Sequence, residues 1–441
     1  MERTPRRRIG HRRTRRIGHD RSRRIGRGGR TTGRRRPAGL LAIQLAAVPA
    51  ACQQDDSAKS RAIETRDSAG VLIVENERPA EDSRLQWRIG PEPSVSIGEV
   101  AGEDPYLLDG ANDAALLPDG RIAVANGGTN ELRVFDSGGA HLATWGGEGE
   151  GPGEFTSLAA VGRWRGDSVV AWNRSTWAVS IFDAEGALGR SFVLDSEAGA
   201  LEPRAVLGDG SILGRTGEPV SRTGGPLSGM GYRRSRETYQ LRQAETASPV
   251  EFGAHPGRES YLDILGGMPV LGLLPFGRSL HEAEWGELVI ITPDDDYEVR
   301  AYERTTGALA RIVRREHENR APTRGEVDEA LDDALARAGL SGPRLDAARQ
   351  GYRNMPLVER FPAFLELLTD PLDHLWVREA SLPGTDRPAP LWTVFDPEGR
   401  ALGFVETPDG LAVFEIGADY LLGRATDELG VESVQVWGLE R

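Results

Sequence analysis

The sequence predicts an all-β protein, a six-bladed β-propeller with four-stranded antiparallel blades, and three observations carry that expectation. One turn-and-strand phrase recurs six times, and its copies fall mostly about 45 residues apart once two large insertions are allowed for. The last copy is one strand short, in a way that a strand ahead of the first copy can complete.

Composition sets the bounds. With a single Cys among 441 residues, 39% hydrophobic and 27% charged, the chain is neither disordered throughout nor built on a disulfide framework. The net charge of −13 hides two populations. Residues 1–36 hold 16 Arg against Glu2 and Asp20, which leaves −27 on the remainder. So acidic a body repels polyanions, and no nucleic-acid partner is expected.

Residues 1–36 repeat an Arg-Arg-Ile-Gly unit with too few apolar side chains to bury, and are expected to be a disordered Arg-rich tail or a mis-assigned start. Residues 37–52 read as an export signal: Arg34-Arg35-Arg36 meet an uncharged stretch, Ala38 to Ala51, too short for the about 20 helical residues that span a bilayer. Val48-Pro49-Ala50-Ala51-Cys52 resembles a bacterial lipoprotein signal, with Pro49 where an aliphatic residue is usual. That resemblance implies acylation at Cys52, a place in the periplasm or cell envelope, and contact with the membrane through the lipid anchor only. Residues 53–85 read as a tether and amino-terminal extension, so removing residues 53–84 is expected to be tolerated.

The propeller is expected over 86–441. Phe135-Asp136-Ser137-Gly138-Gly139, Phe182-Asp183-Ala184-Glu185-Gly186 and Phe395-Asp396-Pro397-Glu398-Gly399 each end a strand on an aromatic and turn on Asp and Gly. Ahead of each stands a second turn and a short apolar strand, as in Asp119-Gly120-Arg121-Ile122-Ala123-Val124. The last unit supplies only three strands, and Ser94 to Gly98 is expected to pair with Glu432 to Leu439 as its fourth. Ala114 to Phe155, ending in Trp145-Gly146-Gly147-Glu148-Gly149-Glu150-Gly151-Pro152-Gly153-Glu154-Phe155, resembles an NHL repeat, and the chain from Asp67 onward is similar to exported six-bladed β-propeller proteins, lipoproteins among them. Such a resemblance implies a fold and not a reaction. One segment, about 322–352, breaks the β pattern: Thr323 and Glu326 form a capping box ahead of apolar residues at helical spacing, which predicts a helical hairpin.

Catalytic signatures are sparse. The glycine-rich run 147–153 leads into a strand and carries Glu148 and Glu150, so it reads as an inter-blade turn and not a phosphate cradle. No serine elbow or zinc motif is present, and the His residues stand at no metal-ligand spacing. The chain is therefore read as a binding module, a monomer whose partner is a peptide, protein or saccharide. The alternatives are a hydrolase or lyase with a divalent metal such as Ca²⁺ at the central channel, where Asn112, Asp113, Glu284 and Glu415 are the candidate oxygen ligands, and a purely structural envelope protein. In a four-stranded blade the loops emerge alternately on two faces. The short Asp-Gly turns share one face, and the long insertions, near 215–236, 254–275, 294–296, 322–352 and 381–390, share the other. That places Arg222, Arg233, Arg234 and Arg236 with Asp294, Asp295 and Asp296 as opposed charges on a candidate ligand face.

Overall fold

The computed structural model describes residues 63–441 apart from 197–198, 218–230, 243–247, 266–267, 338–340, 353–354 and 382–388. The Arg-rich tail, the export signal, Cys52 and Arg222 lie outside the described residues.

An amino-terminal hairpin, β1 (Glu64–Ser68) and β2 (Val71–Asn76), is followed by two short strands, β3 (Arg88–Ile89) and β4 (Val95–Ile97). A four-stranded sheet comes next in chain order: β5 (Ala111–Leu116), β6 (Ile122–Asn126), β7 (Glu131–Phe135) and β8 (His141–Gly146). Its β6 is buried along its whole length, as a central strand between two packed faces must be, whereas β8 keeps exposed positions at the outer edge. The next four are β9 (Leu158–Arg163), β10 (Val169–Asn173), β11 (Ala178–Phe182) and β12 (Leu188–Ser196). They continue into β13 (Gly199–Val206), β14 (Ile212–Gly217), β15 (Gly231–Arg242), β16 (Val250–Leu265) and β17 (Met268–Leu273), because the tips of β12 and β13 pair from Leu194–Leu201 to Ser196–Gly199. Then follow β18 (Leu280–Trp285), β19 (Leu288–Pro293), β20 (Glu298–Glu303) and β21 (Leu309–Arg315), and, after helices α1 (Arg324–Arg337) and α2 (Gly342–Tyr352), β22 (Phe364–Thr369), β23 (Leu375–Glu379), β24 (Leu391–Phe395) and β25 (Ala401–Glu406). The chain closes with β26 (Leu411–Ile416), β27 (Tyr420–Thr426) and β28 (Glu432–Glu440).

The recurring phrase has a physical basis in the turns. In each of Asp136, Asp183 and Asp396 one carboxylate oxygen accepts two backbone amides, from positions two and four residues on, and the glycine between them has φ near 90°. The aromatic before each Asp is buried, so turn and core are specified together. Apolar clusters fill the seams between neighbouring sheets. One joins Leu132, Trp145 and Val134 to Val169 and Phe182, and another joins Trp285 and Ile290 to Phe364, Leu375 and Phe395. Successive antiparallel units packed face to face in chain order make the arrangement propeller-like.

β4 pairs with β28 antiparallel, Val95 opposite Val436 and Ile97 opposite Val434, so an amino-terminal strand completes the last sheet. At the end of this strand Gly98 has φ 142°, and a Cβ there would collide with the Glu432 carbonyl. Gly98→Ala is expected to cost about 1–3 kcal/mol, read by denaturant unfolding, because alanine meets both the collision and an unfavourable backbone region.

The amino-terminal extension ahead of β4 is built into the sheets, while the polar run at 53–60 that reads as a tether lies outside the described residues. β2 adds to β21 in parallel, from Leu72–Arg311 to Asn76–Arg315, and buries Ile73 and Val74. Asn76 then bridges two sheets: its amide donates to the carbonyls of Arg314 (3.1 Å) and Gly399 (3.0 Å), and its carbonyl accepts from Ala401 N (2.9 Å). Further on, Leu85 N donates to Phe404 O (2.9 Å), and β3 pairs with the end of β28. Residues 64–97 are thus a belt over the outer strands of three successive sheets. Val71–Asn76 looks like a strand by composition, but nothing near it in sequence names a partner more than two hundred residues away.

The capping box forms as expected, with Glu326 accepting from Thr323 N (2.7 Å) and Thr323 Oγ1 accepting from Glu326 N (3.3 Å). The insertion expected over 254–275 is itself β structure: β15, β16 and β17 run past their neighbours as a tongue. Met355 and Val358, just after α2, pack on its Leu274 and Tyr261. Among the described residues no helix is long and apolar enough to cross a membrane.

Candidate functional site

The insertion-bearing face is held together by the charges that the sequence places there. Arg234, on β15, forms a bidentate pair with Asp295, both bonds at 2.6 Å, and Arg278 reaches the same carboxylate at 3.0 Å. Arg278 also pairs with the fully buried Glu259 on β16, which accepts the Tyr232 hydroxyl as well (2.5 Å). Burial alone would raise the Asp295 carboxyl, but its hydrogen bonds to Arg234 and the charges of Arg234 and Arg278 hold it below the usual range. Asp296 takes Arg360 (2.8 Å) and Asn319 (3.3 Å). Asp294 is buried, accepting Ser279 N at 2.8 Å and facing the His281 ring at 3.1 Å. Arg233 stands on β15 opposite Ser260, and Arg236 opposite Pro256. Of the opposed charges expected to face a ligand, Arg234 and Asp295 meet each other. They clamp the tongue to the β19–β20 loop, a bidentate geometry suited to fixing two elements.

The second concavity is the central channel. One run from each of β5, β9, β13, β18, β22 and β26, the first strand of each antiparallel unit, lines a cavity of about 420 Å³. It lies toward the carboxyl ends of these strands, where Gly208 and the short turns emerge, and so belongs to the face opposite the insertions. Asp113, Glu284 and Glu415 all line it. Asn112 does not, since its amide turns to the Leu158 carbonyl (2.7 Å). Each carboxylate has its own partners. Glu415 takes Arg163 (2.8 Å) and the Tyr420 hydroxyl, and Glu284 takes Arg304 (2.9 Å) and Gly208 N (2.8 Å). Asp113 accepts Ala114 N (2.9 Å) and Val161 N (3.2 Å). Among the described residues no three His, Cys, Asp or Glu side chains gather where they could hold one ion, so the four candidates do not converge as a ligand set.

Burial, with a smaller contribution from the Glu415 charge, pushes the Asp113 carboxyl up to about 7. Its folded-state value lies above the unfolded one, so the stability linked to its proton is present below about pH 4 and is lost as pH rises through about 7. Relative to Asp113→Asn, the wild-type protein is expected to lose about 3–4 kcal/mol between those limits. Parallel urea titrations at both pH values check this, and equal pH dependence in the two proteins would refute it.

Sequence reasoning missed Arg163, Arg204 and Trp172 on the channel wall. The available signal was positional: Arg163, like Glu284 and Glu415, stands on the first strand of its unit, a residue or two before the short turn.

No family of known proteins matches the chain, and no curated protein matches it. Among solved structures it is similar to a protein of Bacteroides fragilis described as exported, at 12% identity and a TM-score of 0.44, over 83% of this chain and 99% of that one. It is similar also to a gluconolactonase of Xanthomonas campestris, at 11% identity and a TM-score of 0.38, over 78% and 87%. A third is virginiamycin B lyase of Staphylococcus aureus, at 7% identity and a TM-score of 0.35, over 81% and 100%.

Proposed function

We propose that this chain is an exported six-bladed propeller with NHL-like repeats, tethered through an acylated Cys52, and that its insertion-bearing face binds a peptide, protein or saccharide. The blade count rests on the six inner strands that share one channel, and on β4 completing the last blade. Export and acylation rest on residues 37–52. Intact mass of the membrane fraction tests them: a mature chain beginning elsewhere than Cys52, or a Cys52→Ser variant retained as well as wild type, overturns the anchor.

The observation that carries the binding reading is the pre-organised tongue. Two arginines and two carboxylates fix it before any ligand arrives, which lowers the ordering cost of binding. On this braced surface Tyr232 remains about half exposed (49%), with its hydroxyl anchored on Glu259, a rigid amphipathic contact of the kind that peptide and saccharide sites use. The charged and hydroxyl groups of this braced surface suit a polar ligand better than an apolar one. With the body at −27, nucleic acid is not among the partners.

Screening peptide and glycan arrays, followed by Tyr232→Ala against the best hit, tests the assignment. The substitution is expected to weaken binding by about tenfold or more, a typical cost for truncating an interface anchor, with a cooperative melt retained at a lower midpoint because the Tyr232 hydrogen bond to Glu259 is lost. Binding that survives Tyr232→Ala and is lost on changing Asp119 or Arg121, at a short turn, would place the ligand on the opposite face.

A further inference from the structure

We infer that the central channel is a second binding site, one that takes a small molecule bearing an alkylammonium group whose charge pairs with the Asp113 carboxylate. It opens away from the insertion-bearing face and does not depend on the reading of that face.

The argument is one of charge balance inside a cavity. On β9, Arg163 is committed to Glu415 of β26, whose carboxylate also holds Tyr420. On β13, Arg204 is committed to Glu282 of β18 at 3.2 Å and to Glu202 at 3.2 Å. Glu284, also on β18, is paired with Arg304. The β22 segment contributes Leu367, Leu368 and Thr369, none of them charged. Asp113 on β5 is left with the two backbone amides, and among the described residues no Lys, Arg or His forms an ion pair with it. A carboxylate enclosed without a counter-ion is costly to ionise, and a ligand cation placed beside it removes that cost.

Shape and lining narrow the ligand. About 420 Å³ lies within the range of small-molecule sites. Trp172 and Phe414 line the same space, giving an alkyl chain apolar contact and an ammonium group aromatic faces. Four carboxyl groups against two arginines, both already paired, disfavour an anion.

Calorimetric titration of the purified protein with butylammonium chloride, with butan-1-ol and sodium butyrate as neutral and anionic controls of the same length, tests the proposal. Butylammonium is expected to bind at least about tenfold more tightly than either control. Its affinity should rise about tenfold from pH 6 to pH 8 as Asp113 ionises, with proton release near pH 7 that depends on the buffer's ionisation enthalpy. Asp113→Asn is expected to lose both the affinity and the pH dependence. Equal binding of butan-1-ol, a flat pH profile, or an Asp113→Asn protein that binds as wild type does would each overturn it. If the variant proves unstable, the wild-type pH profile and the butan-1-ol comparison decide the matter alone.

Discussion

Removing residues 63–85 is expected to destabilise the protein by about 3–6 kcal/mol, in contrast to the tolerance that the sequence suggests for this stretch. The deletion withdraws Ile73 and Val74 from the core, and each buried aliphatic side chain contributes about 1.5–3 kcal/mol. It also strips the Asn76 bridge and leaves β21 as an open edge. Asn76→Ala alone is expected to cost about 1–3 kcal/mol, since it orphans two carbonyls and one amide. Extending the deletion to residue 100 removes β3 and β4 as well and is expected to prevent a cooperative melt. Calorimetry of the three proteins ranks them. A 63–85 deletion that melts with wild type would show that the belt lies on the sheets without holding them.

Arg315→Ala is expected to cost about 3–5 kcal/mol, the most of any single substitution considered for this protein. Its side chain is wholly buried, donating to Glu379 at 2.8 and 2.9 Å and to Thr393 Oγ1 at 2.7 Å, with the guanidinium 3.7 Å from the Tyr297 ring centroid. Tyr297 in turn donates to Glu379 (2.9 Å). Truncating Arg315 strands a buried carboxylate. Arg315→Met combined with Glu379→Leu removes both charges and is expected to recover most of the loss, because an apolar pair of similar volume costs no charge desolvation. Urea unfolding of the single and double variants separates the two effects. A double variant no more stable than Arg315→Ala would show that the hydrogen bonds to Thr393 and Tyr297, and not the stranded charge, dominate.

The parts of the site that could be read from the sequence are those fixed by neighbours in the chain. Asp136, Asp183 and Asp396 accept amides only two and four residues away, so a short phrase specifies the turn wherever it occurs. The Thr323–Glu326 box is equally local. The charges on the insertion-bearing face were visible as residues but not as pairs. Arg234 and Asp295 stand 61 positions apart, and only the rise of β15 and β16 beyond their sheet brings them together. The same holds in the channel, where Asp113 is one carboxyl among several until the fold gives the others their partners.

By itself the sequence determined the repeating strand-and-turn unit, the helical insertion and the division of loops between two faces, because periodicity, capping and Asp-Gly turns act within a few residues, and it pointed to the pairing of Ser94–Gly98 with the last unit only because the repeat count left that unit one strand short. The tertiary structure alone decided that residues 64–89 belong to a belt, that Arg234 and Asp295 on the ligand face pair with each other, and that Asp113 is left without an ion-pair partner among the described residues. The reason is the range of the forces involved. Strand addition, burial and ion pairing depend on which surfaces meet across hundreds of residues, and composition near a charge does not say whether its partner will be water, a neighbour or a ligand.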